Sequence, residues 1–320
     1  MQIPEVAALA GSVIDEVERA IVGKRFALEQ IMAALLTTGG HVLIEDYPGL
    51  AKTLIANSFA TALGMAFKRI QFTPDLLPGD ITGGYIYDRT TNQFLLRKGA
   101  IFANMILADE INRASPKTQS ALLEAMQEMQ VTLEGETIHL PEPFIVIATQ
   151  NPIEYEGTFP LPEAQLDRFI MKLAIGYPAK DDERQIIRRR RERKTDVFAL
   201  QPVTSAAGLL AMRQAVEEVY LDPDVESYLV DLTTETRTHR QIALGASPRG
   251  TLALLKLARA WAVMSGRDYV LPDDVKRFAR PALCHRLILE PDLWTRRRAA
   301  EELVDQIVNK VPVPVIGGLQ

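Results

Sequence analysis

A segment near residue 50 has the residue types that bind phosphate. Residues 45–53 read EDYPGLAKT and stand between a short apolar run at 42–44 and a helical pattern at 53–63. A loop in this position binds phosphate through its backbone N–H groups and through the N-terminus of the helix that follows. Lys52 would meet the outer phosphates and the Thr53 hydroxyl would bind Mg²⁺. The alternative interpretation is an ordinary turn between a strand and a helix.

This loop departs from the usual pattern, G-x-x-x-x-G-K-[ST], at both glycine positions. Asp46 and Ala51 occupy them, whereas Gly49 keeps one backbone position free of a Cβ. A carboxylate close to phosphates would be repelled by several kcal/mol. We therefore expect the Asp46 side chain to be turned away from the phosphates or held by another group.

Two further polar strand ends complete a phosphoryl-transfer site. The apolar run 106–108 ends in Asp109 and Glu110, and the run 145–149 leads to Asn151. Asp109 can hold Mg²⁺ while Glu110 polarises a water for attack on the γ-phosphate. The Asn151 amide can orient that water. The carboxylates alone could simply cap a helix, but the three signals together predict Mg²⁺-dependent ATP hydrolysis.

The surrounding elements predict an α/β fold. Five short apolar runs read as strands, and most of them are separated by segments of helical periodicity, which is typical of a parallel sheet covered on both faces. Two further stretches, 85–96 and 131–140, read as hairpins inserted into this core. The strand candidates lie at residues 42–44, 67–72, 105–108, 145–149 and 169–175.

The composition changes after residue 178, where helical periodicity continues with little strand signal. We expect a nucleotide-binding domain at 1–178, a charged linker helix at 179–195 and a helical lid domain at 196–320. The linker contains four successive arginines at 188–191, flanked by acidic residues and without interleaved aromatics, which favours a solvated helix face over a nucleic-acid patch. Helices are predicted at 206–219, 225–236, 248–264, 273–283 and 293–309.

Composition argues against several other classes of protein. The 320 residues carry 36 Lys plus Arg against 41 Asp plus Glu, a formal charge of −5, so nucleic acid is an unlikely partner. The one cysteine, Cys284, has no Cys/His cluster around it, and a small, partly buried side chain is the expected role. The N-terminus, residues 1–20, has acidic residues and no early positive charge, unlike a signal peptide, and no apolar run is long enough to span a bilayer. We expect a cytoplasmic protein without membrane insertion.

Beyond these site residues, the chain resembles the MoxR family of AAA+ ATPases over essentially its whole length. The family commonly has proline where Ala100 stands, and Asp46 at the first glycine position is the larger departure. The matching stretches are 45–53, 72–83, 108–114 (ADEINRA), 116–128, 148–152 (ATQNP), 161–169 (LPEAQLDRF), 245–249 (GASPR), 266–275 and 285–287 (HRL).

The resemblance implies further roles for matching residues. Asn151 corresponds to the sensor-1 residue, Arg168 to an arginine finger that reaches a neighbouring subunit, and Arg249 to the sensor-2 arginine. A structural salt bridge of Arg168 with Asp167 or Glu163 is the alternative. Val22 and Gly23 resemble the segment that lies against adenine, although Val22 also fits a plain core position. The expected ATP contacts are therefore Val22, Gly23, Tyr47, Pro48, Gly49, Leu50, Ala51, Lys52, Thr53 and Leu54.

The resemblance also implies a function. Family members remodel or mature partner proteins in a chaperone-like way, as homo-oligomeric rings (hexamers), and work with proteins that carry von Willebrand factor A domains. The hairpin at 85–96 resembles an insert that faces substrate, with Tyr85, Tyr87 and Phe94 as candidate contacts. Two other functions stay open at this point: a motor stimulated by nucleic acid, and a nucleotide-binding scaffold with low turnover.

Overall fold

The described part of the chain, residues 1–152, 157–294, 296 and 298–315 of the computed structural model, contains eleven strands and twelve α-helices. The strands are β1 (Val42–Glu45), β2 (Phe67–Gln71), β3 (Gly83–Asp88), β4 (Gln93–Lys98), β5 (Met105–Asp109), β6 (Gln130–Leu133), β7 (Glu136–His139), β8 (Ile145–Gln150), β9 (Met171–Leu173), β10 (Ile242–Leu244) and β11 (Ile288–Leu289). The helices are α1 (Ile3–Glu18), α2 (Arg25–Leu35), α3 (Lys52–Ala62), α4 (Pro78–Thr82), α5 (Pro116–Glu128), α6 (Glu163–Leu166), α7 (Lys180–Arg193), α8 (Ala206–Glu217), α9 (Pro223–Thr238), α10 (Pro248–Met264), α11 (Pro272–Leu283) and α12 (Ala299–Lys310).

Five strands form one parallel sheet in the order β2–β5–β8–β1–β9, which confirms the predicted fold class. Strand β5 is buried at every residue, as expected for a strand covered by helices on both faces. Alternate residues of β5 enter different cores: Leu107 belongs to the cluster that includes α1 and α10, and Ile106 to the cluster beneath α5. The unbroken apolar runs of the sequence therefore fill two cores at once.

The strand order determines which polar residues meet. Strand β8 lies between β1 and β5, so Glu45 pairs with Gln150 and Ala108 pairs with Ala148. On the far side of β5, Gln71 of β2 pairs with Asp109. Because all five strands are parallel, the loop after β1 and the acidic pair after β5 flank the carboxyl end of β8.

Both predicted hairpins are present. Strands β3 and β4 pair from Gly83↔Lys98 to Asp88↔Gln93, and strands β6 and β7 form the second antiparallel pair. The Tyr85 hydroxyl donates to the Glu136 carboxylate and joins the two hairpins.

The helical part follows the predicted pattern closely. Helix α10 has the predicted bounds, and α8, α9 and α11 differ from theirs by at most two residues at either end. The last helix starts later than expected, at Ala299, because Leu293 belongs to a short 3-10 turn; residues 295 and 297 of the predicted helix lie outside the described residues. The short pair β10–β11 was not predicted. Cys284 is half-buried and packs against the apolar cluster that includes α1 and α10.

The helices at the two ends of the chain share one core. Helix α1 packs against α3 and α10, and Val6, Ile147 and Leu254 belong to a single apolar cluster. The charged helix α7 buries none of its residues, as expected for a solvated face. No helix among the described residues is long and apolar enough to cross a membrane.

Candidate active site

The phosphate loop, residues 46–53, leaves the end of β1 and runs into the first turn of α3. Gly49 (φ 80°) and Ala51 (φ 56°) both adopt the left-handed conformation. For alanine that conformation costs about 1 kcal/mol, so the surrounding loop must hold Ala51 in place. Helix α3 begins at Lys52, which puts Lys52 and Thr53 at a helix N-terminus, where free N–H groups favour anions.

Most of the predicted site residues line one cavity of about 410 Å³, which we call the phosphate cavity. Tyr47 lies outside this lining and stacks on Tyr177, with 5.9 Å between ring centroids. The lining consists of Pro48, Gly49, Leu50, Ala51, Lys52, Thr53, Leu54, Asp109, Glu110, Thr149 and Asn151.

Asp46 is buried and bound on both carboxylate oxygens. Its Oδ1 accepts from the backbone N–H of Tyr47 (2.8 Å), and its Oδ2 accepts from that of Gly176 (2.5 Å). The Lys52 Nζ also contacts Asp46, but it donates to the main-chain oxygen (2.5 Å) and not to the carboxylate. The Asp46 carboxylate is thus held by other groups, as expected for a carboxylate at this glycine position.

Thr149, on the central strand β8, connects the two acidic residues. Its hydroxyl donates to Asp109 Oδ1 (2.6 Å) and accepts from the backbone N–H of Glu110 (2.9 Å). Arg69, on β2, donates to Asp109 Oδ2 through Nε (3.0 Å) and Nη2 (2.7 Å). The sequence did not single out Arg69, because the strand order that places β2 beside β5 is not visible in its own segment.

The Glu110 carboxylate is held from two sides. Gln71 Nε2 donates to its Oε2 (2.8 Å), and Arg113 Nη1 lies 3.2 Å from the same oxygen. The backbone of Glu110 is left-handed (φ 56°), and strain of this kind is frequent at functional sites. Asn151, which lines the same cavity, is buried. The phosphate cavity is thus lined both by this carboxylate and by a buried amide.

A second cavity, which we call the base cavity, adjoins the phosphate loop. It measures about 260 Å³, and Gly49, Leu50, Ala51 and Leu54 line both cavities. Val22 lies in its wall, and the remaining walls are mostly apolar, which would suit a nucleobase; contact of Val22 with adenine stays a prediction. Its wall residues that were missed from the sequence are Ala20, Ile21, Lys24, Ile55, Ile175, Gly176, Pro178, Ile186 and Phe198.

Gly23 is not in this lining but fixes the neighbouring backbone. It has φ 69°, and a Cβ there would lie 2.1 Å from the Asp182 carboxylate of α7. A side chain at this position would force the Asp182 side chain to move, and the positive φ independently favours glycine. Lys24 Nζ also donates to the main-chain oxygen of Tyr177 (2.9 Å), so the segment beside the base cavity is tied to the start of the linker.

Arg168 and Arg249 lie in a third cavity, the arginine cavity, of about 260 Å³. It shares no lining residue with the phosphate cavity of the same chain. Arg286 and Lys256 also line it, and Asp167 is its one carboxylate, so the lining carries a formal charge of 4 − 1 = +3.

The salt bridge considered for Arg168 is not found among the described residues. Asp167 pairs instead with Arg286 (2.7 Å), and the Arg168 Nε is buried and finds no hydrogen-bond partner in the part of the chain that the structure describes. His41, in the wall of this cavity, is fully buried, and burial lowers its pKa to about 4.

The phosphate cavity fits Mg²⁺ chemically. Thr53 and Asp109 contribute a hydroxyl and a carboxylate to the same lining, and Mg²⁺ prefers oxygen ligands of this kind and is usually bound through one or two carboxylates together with substrate phosphates. Among the described residues there is no cluster of three or more His, Cys, Asp or Glu that could hold a metal by protein ligands alone. A metal at this place would therefore depend on the phosphates.

Comparison with known proteins agrees with this geometry. A family model described as "ATPase family associated with various cellular activities (AAA)" matches residues 41–171, and a model of the AAA lid domain matches residues 234–308. Chaperone MoxR1 of Mycobacterium tuberculosis is 42% identical over 96% of this chain and 82% of its own length. The uncharacterized protein YeaC of Bacillus subtilis is 47% identical over 96% and 95%. The crystal structure of a candidate ATPase from Cytophaga hutchinsonii, 40% identical, superposes with a TM-score of 0.91 over 98% and 97% of the two chains.

Proposed function

The chain belongs to the MoxR family of AAA+ ATPases, and we propose that it hydrolyses ATP to ADP and phosphate in the phosphate cavity. The observation that carries this proposal is the position of Thr149. Its hydroxyl binds the Asp109 carboxylate and the Glu110 backbone at once, in the cavity that also contains Lys52 and Thr53. A chance strand-to-helix turn would not bring these groups together.

Each residue has a distinct part in the proposed reaction. Lys52 and the loop N–H groups bind the phosphates, while Glu110 takes the proton of the attacking water through Oε1, since Oε2 is occupied by Gln71 and Arg113. Asn151 orients the water. Thr53 and Asp109 would hold Mg²⁺, which would neutralise negative charge as it develops on the phosphates.

We further propose that Arg168 and Arg249 act on the nucleotide of a neighbouring subunit in a homo-oligomeric ring, a hexamer. Their cavity shares no lining with the phosphate cavity of the same chain and carries net positive charge. The Arg168 Nε has no hydrogen-bond partner among the described residues. A guanidinium suits this role because it stays charged and binds phosphate oxygens as a fork.

ATP hydrolysis would drive chaperone-like remodelling of partner proteins, for which proteins with von Willebrand factor A domains are the proposed clients, in the cytoplasm. The name of the relative Chaperone MoxR1 supports this direction. On β3–β4, Phe94 is 69% exposed and Tyr87 47%, although their rings pack on each other at 5.3 Å. This hairpin is the proposed contact surface for clients.

The hydrolysis is tested by comparing Lys52→Ala with Glu110→Gln. Because Lys52 would contact the ground-state phosphates and Glu110 the attacking water, the first variant should lose ATP binding, and the second should bind ATP normally without turnover. Titration with a fluorescent ATP analogue and steady-state phosphate release measure the two properties. Normal turnover by Glu110→Gln would contradict the assignment, and no turnover by the wild type would favour a scaffold.

The action across subunits is tested by mixing Arg168→Ala with Glu110→Gln. Arg168→Ala should bind ATP normally and turn it over about 1,000-fold more slowly or worse. In mixed rings some interfaces combine an intact Glu110 with an intact Arg168, so part of the activity should return. Arg240→Ala, at an exposed arginine outside the three cavities, is the matched control. If mixing restores nothing, Arg168 acts within its own chain or only structurally.

A further inference from the structure

Arg286 is a buried arginine, 7% exposed, at the end of the 3-10 turn that follows α11. Its Nε donates to the Asp167 carboxylate (2.7 Å), and Nη2 donates to the main-chain oxygen of Phe169 (2.7 Å). Longer bonds reach the main-chain oxygens of Asp167 and Ile170, both 3.3 Å. Arg168 lies between these residues in the chain, so Arg286 holds the backbone on both sides of it.

The Asp167 carboxylate extends this contact to helix α10. Arg286 occupies Oδ1, and the Ser247 hydroxyl donates to Oδ2 (3.0 Å). Ser247 is the N-cap of α10, and its oxygen also accepts from the backbone N–H of Arg249 (3.1 Å). One carboxylate therefore joins the turn that carries Arg168 to the helix start that carries Arg249.

The Arg286 stem also packs directly against α10. A Cβ added at Gly250, in the first turn, would lie 3.3 Å from Cδ of Arg286, so the absence of a side chain there leaves room for the arginine. Burial lowers the pKa of Arg286, and the Asp167 charge opposes that shift. A buried cation is stable only when paired and hydrogen-bonded, and a fully bonded network of this kind is rigid.

We propose that Arg286 is a positioning residue that fixes the separation and direction of Arg168 and Arg249 through Asp167 and Ser247. This inference rests on the proposed action of the two arginines on a neighbour's nucleotide. Both guanidinium groups must meet the same phosphates, and a displacement of about 1 Å can reduce a rate on the order of 100-fold. A lysine at 286 would keep the charge but lose the fork that binds a carboxylate and a backbone carbonyl together.

The test compares Arg286→Lys with Arg213→Lys in the full chain. Arg213 is an equally buried arginine, 8% exposed, that binds the main-chain oxygen of Leu35 and lies outside all three cavities. Arg286→Lys should lower kcat by about 10- to 100-fold. Its affinity for a fluorescent ATP analogue should stay within about twofold of the wild type, because the phosphate cavity is separate. Arg213→Lys should keep kcat close to the wild-type value.

Mixing separates positioning from a general structural defect. Glu110→Gln subunits carry an intact Arg286, so adding them to Arg286→Lys should restore activity to the extent seen with Arg168→Ala. A kcat within about twofold of the wild type would overturn the inference. The inference would also be overturned if Glu110→Gln subunits restored the activity of Arg168→Ala but not that of Arg286→Lys. If mixing also fails with Arg168→Ala, the proposed action across subunits is wrong, which is a different result.

Ser247→Ala is a smaller change that leaves the buried Arg286 in place. It removes one bond to Asp167 and the cap of α10, and Ser205→Ala, at the N-cap of α8, is its matched control. Ser247→Ala should lower kcat about 3- to 10-fold and respond to mixing in the same way, whereas Ser205→Ala should not. Should Arg286→Lys fail to fold by circular dichroism, an unchanged kcat for Ser247→Ala would overturn the inference.

Discussion

Replacing Asp46 by asparagine tests how an acidic phosphate loop works. The native carboxylate accepts backbone N–H groups from Tyr47 and Gly176, one on each oxygen. The amide of asparagine can accept only on its oxygen, so one N–H loses its partner and faces an NH₂ group. Hydrogen bonds to charged groups contribute about 1.5–3 kcal/mol each, so we expect a loss of about 2 kcal/mol in stability.

This loss has a measurable size for a chain of 320 residues. At about 2.1 cal/mol/K per residue, the entropy of unfolding is about 670 cal/mol/K, so 2 kcal/mol lowers Tm by about 3 °C. Asp222→Asn, at the N-cap of α9 where the carboxylate also accepts a backbone N–H, is the matched control outside the site. Thermal unfolding followed by circular dichroism measures both variants.

The effect of Asp46→Asn on ATP affinity decides the orientation of Asp46. A carboxylate facing a phosphate charge at about 5 Å, at an effective dielectric constant of 20, would be repelled by about 3 kcal/mol. Removing that charge would tighten ATP binding by more than about 100-fold. Because both oxygens are bound elsewhere, we expect Kd to change by less than about fivefold in a fluorescent-nucleotide titration. Tightening by two orders of magnitude would refute the outward orientation.

Two further predictions concern His41 and Arg69. The His41 ring accepts a hydrogen bond from the Val146 N–H and donates one to the main-chain oxygen of Met126. Burial lowers the pKa of His41 from 6.5 to about 4. Between pH 6.5 and about 4, therefore, His41 takes up a proton only in the unfolded chain. The free energy of unfolding should therefore decrease by about 3 kcal/mol as the pH falls from 6.5 to about 4. His41→Gln should flatten the dependence of Tm on pH, and parallel curves would contradict this cause. Arg69→Gln removes a cation from the Asp109 carboxylate and should lower the Mg²⁺ concentration for half-maximal ATPase about 2- to 5-fold, since exposed pairs contribute 0.2–1 kcal/mol. The exposed neighbour Lys68, changed to glutamine, is the control, and a higher Mg²⁺ requirement in Arg69→Gln would contradict the reasoning.

The sequence was most informative where pattern and local chemistry agreed. The apolar run at 105–108 became β5, and helix α10 begins at Pro248, as predicted. These elements depend on periodicity and on end signals within a few residues. Strand 169–175 was predicted too long: β9 covers only Met171–Leu173, where the edge strand pairs with β1. The length of an edge strand depends on its neighbour, which its own residues do not specify.

Contacts between distant residues were outside the reach of the sequence. The Gly176 partner of Asp46, the Arg69 partner of Asp109 and the Arg286 partner of Asp167 each belong to another element. The strand order that brings them together is a property of the whole sheet. Each residue type was unremarkable in its own segment.

The strand order also constrains how the protein is made. Strand β1 carries the phosphate loop, yet its partners in the sheet are Ile145–Gln150 and Met171–Leu173. A growing chain must therefore carry β1 unpaired while more than a hundred further residues are added, and pairing over such separations is intrinsically slow. Helix α1 also packs against α3, which is synthesised early, but its other neighbour α10 begins only at Pro248. Nascent chains that end before α10 should expose apolar surface and be susceptible to proteases and available to ribosome-associated chaperones.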